Sequence, residues 1–276
     1  MSAATMTKGG PTNGPTNAAT NAATTTGGRL KALARAELTL IGRSKGVLFT
    51  AVFVPLVMPF ATRSSMHDVD LKRTGLTLGA TVLASAIGFS LLFAVYSTMV
   101  SVYAARREDL VLKRLRTGEL RDAEILAGTA LPAVCMGLAQ AVGLAAVCAV
   151  VLHAGAPAAP HLVVLGVLLG LPLCVVLAAL TTVFSRSVES AQVAAMPLLL
   201  VTMFGSGAVV PLEVMPDKLA NLCALLPLTP TLTLVREGWT GGMAAGDAVK
   251  DVMTAVAWFV VAVFAVRRRF RWEPRR

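Results

Sequence analysis

Ile125-LAGTALPAVCMGLAQAVGLAAVCAVVLHAGAPAAPHLVVLGVLLGLPLCVVLAALTTVF-Ser185 runs for 61 residues without one Asp, Glu, Lys or Arg. A helix rises about 1.5 Å per residue, and roughly 20 apolar residues cross some 30 Å of hydrocarbon, so the run holds two spanning helices. Its natural break is His153-Ala-Gly-Ala-Pro-Ala-Ala-Pro-His161, where prolines and a glycine stop helices. Outward from this stretch lie four more charge-free runs. Gly46–Thr62 gives 17 residues, Thr74–Ala105 gives 32, Ser190–Leu212 gives 23 and Val252–Val266 gives 15. The second exceeds one crossing, so its helix projects beyond the bilayer. The last reaches spanning length when extended back to Asp247, with acids at the helix N-terminus and Lys250 snorkelling to the interface. The expectation is an all-α polytopic membrane protein with six spans. Composition agrees: 55% of the 276 residues are apolar and 14% charged, against about 25% charged in soluble domains. A soluble globular enzyme and a disordered chain are both excluded on that ground.

Lys and Arg set the expected orientation. The tail to Lys45, the Arg106–Glu124 loop, Arg186 and the tail from Arg267 hold nineteen of them, against six on the opposite side. Both termini are therefore expected in the cytoplasm, as an even span count requires. Orientation thus accounts for the net charge of +10, with anionic-lipid contact as an added role and no nucleic-acid module needed. Residues 1–28, rich in Thr, Asn, Gly and Ala and without apolar period, read as a disordered cytoplasmic tail. Residues 29–45 read as an interfacial amphipathic helix, 46–267 as the six-helix membrane domain and 268–276 as a basic cytoplasmic tail.

The spans carry no Asp, Glu, Lys or Arg near their centres, which disfavours a proton-coupled carrier. Intramembrane hydrolysis requires a nucleophile with a partner base, and no span supplies the base. Gln140 and Gln192 are the amides well inside spans and read as interhelical bridges. Cys135, Cys148, Cys174 and Cys223 follow no metal-ligand spacing and read as small buried side chains. His153 and His161 read as solvated turn residues. No Gly-x-x-x-x-Gly-Lys-[Ser/Thr] loop occurs, so any ATP that drives this chain is hydrolysed on another polypeptide. Pro55, Pro59, Pro132, Pro172 and Pro197 lie within the spans, and Gly166-Val-Leu-Leu-Gly170 is a small-xxx-small pattern that permits close helix approach.

Two polar-side segments stand out as candidates to meet a partner, the competing readings being a lipid-surface anchor for the first and a solvated charged turn for the second. In RLKALARAELTLIGR (Arg29–Arg43) Leu30, Leu33, Ala34, Leu38 and Ile41 share one helical stripe, interrupted by Glu37. The loop RREDLVLKRLRTGELRDAE (Arg106–Glu124) holds six bases and five acids around Leu110, Val111, Leu112 and Leu115. That mixture suits a short helix docking into a groove, with apolar anchors and charges fixing register.

These segments carry a resemblance. RAELTLIGRSKG…VPLVMPF resembles the interfacial helix and first span of ABC-2 type permeases, the branch that includes daunorubicin-resistance and polysaccharide or lipid exporters. ARREDLVLKRLRTGEL resembles the family loop E-R-E-x-G-T-L-x-R-L-R-x-x-P-L, with Glu108 at its second Glu and Arg114-Leu115-Arg116 at its R-L-R. Asp109 and Leu110 depart from the Gly-Thr region, and Gly118-Glu119 stands where Ser/Thr-Pro is common. GSGAVVPLEVMPDKLANLCALLPLTPTLTLVREGW resembles the family's exit from span five, with Gly207, Pro211, Pro216, Pro227, Pro230 and Arg236 at the usual Gly, Pro and Arg positions. The resemblance implies that Arg107, Glu108, Asp109, Leu110, Lys113, Arg114, Leu115 and Arg116 meet a separate P-loop ATPase that carries ATP and Mg, with Glu37 and Arg43 bracing that contact. It implies a second permease copy, homo- or heteromeric, and short re-entrant helices before the last span. No cofactor or metal is expected on this chain. The function implied is export of a drug, antibiotic or lipid-like compound across the cell membrane. The competing readings are an ion-coupled secondary exporter and a membrane-embedded enzyme.

Overall fold

A computed structural model describes Val57 and residues 78–111, 122–151, 155–210 and 212–269. Helix makes up 84% of the structure, and the described residues contain no strand. The class is all-α. Among the described residues, five helices are long and apolar enough to cross a bilayer: Gly79–Glu108, Ala123–Val150, Pro160–Thr182, Val188–Gly205 and Ala245–Arg269. They correspond to the four later charge-free runs, the 61-residue run supplying two of them; the first run, Gly46–Thr62, lies outside the described residues apart from Val57, as do residues 1–45. Two boundaries shift from the sequence expectation. The run Ser190–Leu212 ends its helix at Gly205, because residues 206–210 bend out of it. The last helix begins at Ala245, two residues before the expected Asp247.

The first of the five is the centre of the bundle. It is one rod built of α1 (Leu78–Phe89), a π-helical stretch (Ser90–Ser97) and α2 (Thr98–Glu108). Of its most apolar window 94% is buried, against 17% for the last helix, so the rod is core and the last helix faces outward. The wider π turn is closed by the Thr98 hydroxyl, which donates to the Phe93 carbonyl five residues back at 3.1 Å. Around the rod stand α3 (Asp122–Val151), α4 (Pro160–Thr182) and α5 (Val188–Gly205), while α8 (Ala245–Arg269) packs on the outer side of α4.

In hydrocarbon a polar side chain must find its partner within the protein. Ser90 on the rod donates to Gln140 of α3 at 2.6 Å, and Gln192 of α5 donates to Ser101 at 2.7 Å. Both amides therefore bridge helices. The Tyr96 hydroxyl lies 3.0 Å from that of Thr181 on α4, and the Tyr103 hydroxyl donates to the Leu126 carbonyl of α3 at 2.9 Å. Cys148, Cys174 and Cys223 are buried, but Cys135 is exposed, because α3 turns that part of its surface away from the rod. His161 is exposed at the start of α4.

Between α5 and α8 the chain forms a 3-10 turn (Leu212–Val214), α6 (Asp217–Cys223) and α7 (Thr229–Thr240). Pro216 caps α6, Pro227 lies in the turn between the two helices, and Pro230 stands in the first turn of α7, where its missing N–H costs nothing. The pair is a helical hairpin, at the place where the sequence implies short re-entrant helices. Its turn meets α8 halfway along, where the Trp258 indole donates to the Leu225 carbonyl at 2.8 Å. Its far end returns to the start of α4, with Ala159 N–H donating to the Gly238 carbonyl at 2.8 Å. Backbone at that depth is tolerable because protein covers it: Leu234, Val235, Arg236 and Trp239 are all buried. Pro211 lies outside the described residues.

Candidate functional site

The rod, α4 and α8 end, and α3 and α5 begin, at one end of the bundle. Six of the nine described Lys and Arg residues lie there: Arg106, Arg107, Arg186 and Arg267 to Arg269. This basic end holds the charged segment that the sequence marks out.

Two consecutive side chains at the tip of the rod grip the turn between α4 and α5. Arg107 is only 2% exposed. Its guanidinium donates to the Thr182 carbonyl at 2.6 Å, to the Ser185 carbonyl at 2.7 Å and to the Ser185 hydroxyl at 3.1 Å. A helix C-terminus leaves carbonyls unsatisfied and carries partial negative charge, and a forked cation answers both. Glu108 does the complementary work. Its carboxylate accepts the Val188 N–H at 2.8 Å, at the first turn of α5, where orphan donors and positive partial charge favour an anion. Ser187 and Ser190 complete that end with a reciprocal capping box. A cation thus closes the end of one helix and an anion opens the next, both from neighbouring positions on the rod.

Of the residues expected to face a partner, Arg107 is therefore corrected: it turns inward, because the carbonyls at the end of α4 need its donors. Glu108, Asp109 and Leu110 are exposed. Lys113, Arg114, Leu115 and Arg116 lie outside the described residues, as do Glu37 and Arg43. Arg106–Glu108 complete the rod and Asp122–Glu124 open α3, so the loop proper is shorter than the charged run.

Leu110 ends the rod in a left-handed conformation, φ +57°, its N–H donating to the Arg107 carbonyl at 3.2 Å. That conformation costs a residue bearing a Cβ about 1–2 kcal/mol, and glycine normally fills it. The apolar side chain is 38% exposed, so little burial offsets the cost. Leu110→Gly should stabilise the isolated chain by about 1 kcal/mol, read as a rise in thermal midpoint. A fall in midpoint would contradict the strain.

At the opposite end, Arg236 is buried beside the Gly207 turn, its side chain 3.7 Å from the Glu237 carboxylate. It belongs to the helical hairpin, 4% exposed, and not to the basic end.

A buried rod packed among spanning-length helices, with its tip holding the α4–α5 turn, defines a polytopic membrane protein. A family model described as ABC-2 type transporter matches residues 28–239, and the chain belongs to that family of membrane transport components. A search of curated proteins gives no match.

Proposed function

We propose that this chain is the membrane-spanning subunit of an ATP-driven exporter. It resides in the cell membrane with both termini cytoplasmic and works with a second copy, identical or related. A cytoplasmic P-loop ATPase carries ATP and Mg and docks on residues 108–124, braced by residues 29–45. The cargo is an amphipathic compound of drug, antibiotic or lipid type. One observation carries the reading: Arg107 and Glu108 fasten the α4–α5 turn to the tip of the rod. A push on the segment just beyond Glu108 then moves three helices together, not one loop. Partner closure on ATP binding would bias that rigid group between two packings, and differential contact at the loop is what makes such a bias physical.

The test is export and ATPase activity in membranes of the Glu108→Lys variant. The substitution reverses the charge at the tip of the rod and removes the bond to Val188 N–H. ATP hydrolysis is expected to continue while export falls by more than tenfold, with membrane insertion unchanged, since a tenfold loss corresponds to about 1.4 kcal/mol of coupling. Normal export by this variant would overturn the assignment. Export that stops when the proton gradient is collapsed at constant ATP would replace it with ion coupling.

A further inference from the structure

A cavity of about 870 Å³ opens between α3, α4 and α8 near the basic end. Thirteen of its fifteen lining residues are apolar, among them Leu126, Val134, Val176 and Val263; the exceptions are Tyr103 and Arg267. The Tyr103 hydroxyl is already committed to the Leu126 carbonyl. Arg267 is exposed at the mouth and is followed by two further exposed arginines. Along α3 the lining runs from Ala123 to Val134, about 16 Å of helix at 1.5 Å per residue. That length is close to half of the roughly 30 Å of hydrocarbon in a bilayer.

An apolar slot one leaflet deep, parallel to the helices and ending at a cation, has the shape and polarity of a lipid. We propose that the cavity is a binding site for an anionic membrane lipid of the leaflet at the basic end, its acyl chain between α4 and α8 and its headgroup on Arg267. A water-soluble ligand of this size would need more than one uncommitted polar group to fix its orientation. A neutral lipid would leave the arginines at the mouth without a counter-charge, whereas basic side chains at a membrane surface draw anionic headgroups. The assignment rests on membrane placement and not on the ATPase partner, so it stands or fails separately from the exporter reading.

The experiment uses the full chain in phosphatidylcholine nanodiscs doped with phosphatidylglycerol or phosphatidylcholine carrying a photoreactive group in mid-chain. Peptides containing Val176 and Val263 are expected to carry the label, with phosphatidylglycerol preferred by about fivefold, the factor equivalent to about 1 kcal/mol per arginine. Arg267→Gln, at an exposed position, should reduce that preference to near unity while chain labelling persists. Val176→Trp should remove labelling from α8 by filling the slot. Equal labelling by the two lipids in the unaltered chain overturns the proposal. So does efficient disulfide formation between Val176→Cys and Val52→Cys in one chain, which would place residues 46–62 in the slot. Intermolecular crosslinking of Val263→Cys would overturn it in favour of a second copy.

Discussion

Replacing Arg107 by methionine is expected to lower stability by about 3 kcal/mol, the scale reported for breaking a buried charged hydrogen-bond network. Methionine keeps the length of the stem and removes all the donors. The Thr182 carbonyl retains the Ser185 hydroxyl at 2.9 Å, so the loss falls mainly on the Ser185 carbonyl. Each hydrogen bond to a charged group contributes about 1.5–3 kcal/mol, and an orphaned buried acceptor adds its own cost. A fall in thermal midpoint of about 6–12 °C follows, at about 2–4 °C per kcal/mol for a chain of this size. Arg107→Lys should fall between the two, because one ammonium does not reproduce the fork that spans both carbonyls. An Arg107→Met midpoint within a degree of the parent would show that the α4–α5 turn does not depend on this contact. The exporter reading would then lose the observation that carries it.

The second large effect concerns two glycines with opposite expected signs. In an open helix, glycine to alanine stabilises by about 1 kcal/mol. Gly143 on α3 has nothing within 4 Å of the position its Cβ would take, so Gly143→Ala should be neutral or stabilising. At Gly166 on α4 the same carbon would lie 2.6 Å from the Thr231 carbonyl oxygen and 2.9 Å from Val235. The nearest atom is backbone and cannot swing aside, so α7 must back away. Overpacking of this kind costs about 1–3 kcal/mol, which outweighs the gain in helix propensity. Gly166→Ala should therefore lower the midpoint and loosen the helical hairpin, exposing Trp239 to water-soluble quencher. Equal midpoints for the two variants would refute the close approach of α4 and α7.

The spans were legible in the sequence because the bilayer imposes a length on every charge-free run. Even the short last run follows, since acids at a helix N-terminus and a snorkelling lysine cost little there. Helix ends were less legible: the run to Leu212 is free of charge but ends its helix at Gly205, and absence of charge does not distinguish a helix from an apolar turn. Gly166-Val-Leu-Leu-Gly170 gave a true signal, with Gly166 against α7 and Gly170 against Leu91 of the rod. At the basic end the charged run does not show which way its side chains point. Arg107 and Glu108 look alike as loop charges, and only the arrival of the ends of α4 and α5 turns one inward. The π-helical stretch had no signal at all, since Ser90–Ser97 is apolar with ordinary helix periodicity. The slot beside Arg267 also lay beyond the sequence, because it exists only where α3, α4 and α8 diverge.

The most direct test of the central claim is affinity purification of the full chain from native membranes in mild detergent, with partners identified by mass spectrometry. A P-loop ATPase in stoichiometric amount is predicted, released when Glu108 and Arg114 are both charge-reversed but retained by Gly143→Ala. If the chain is recovered without any ATPase, under conditions that hold a known transporter complex together, the account is contradicted and the energy source must be sought in an ion gradient.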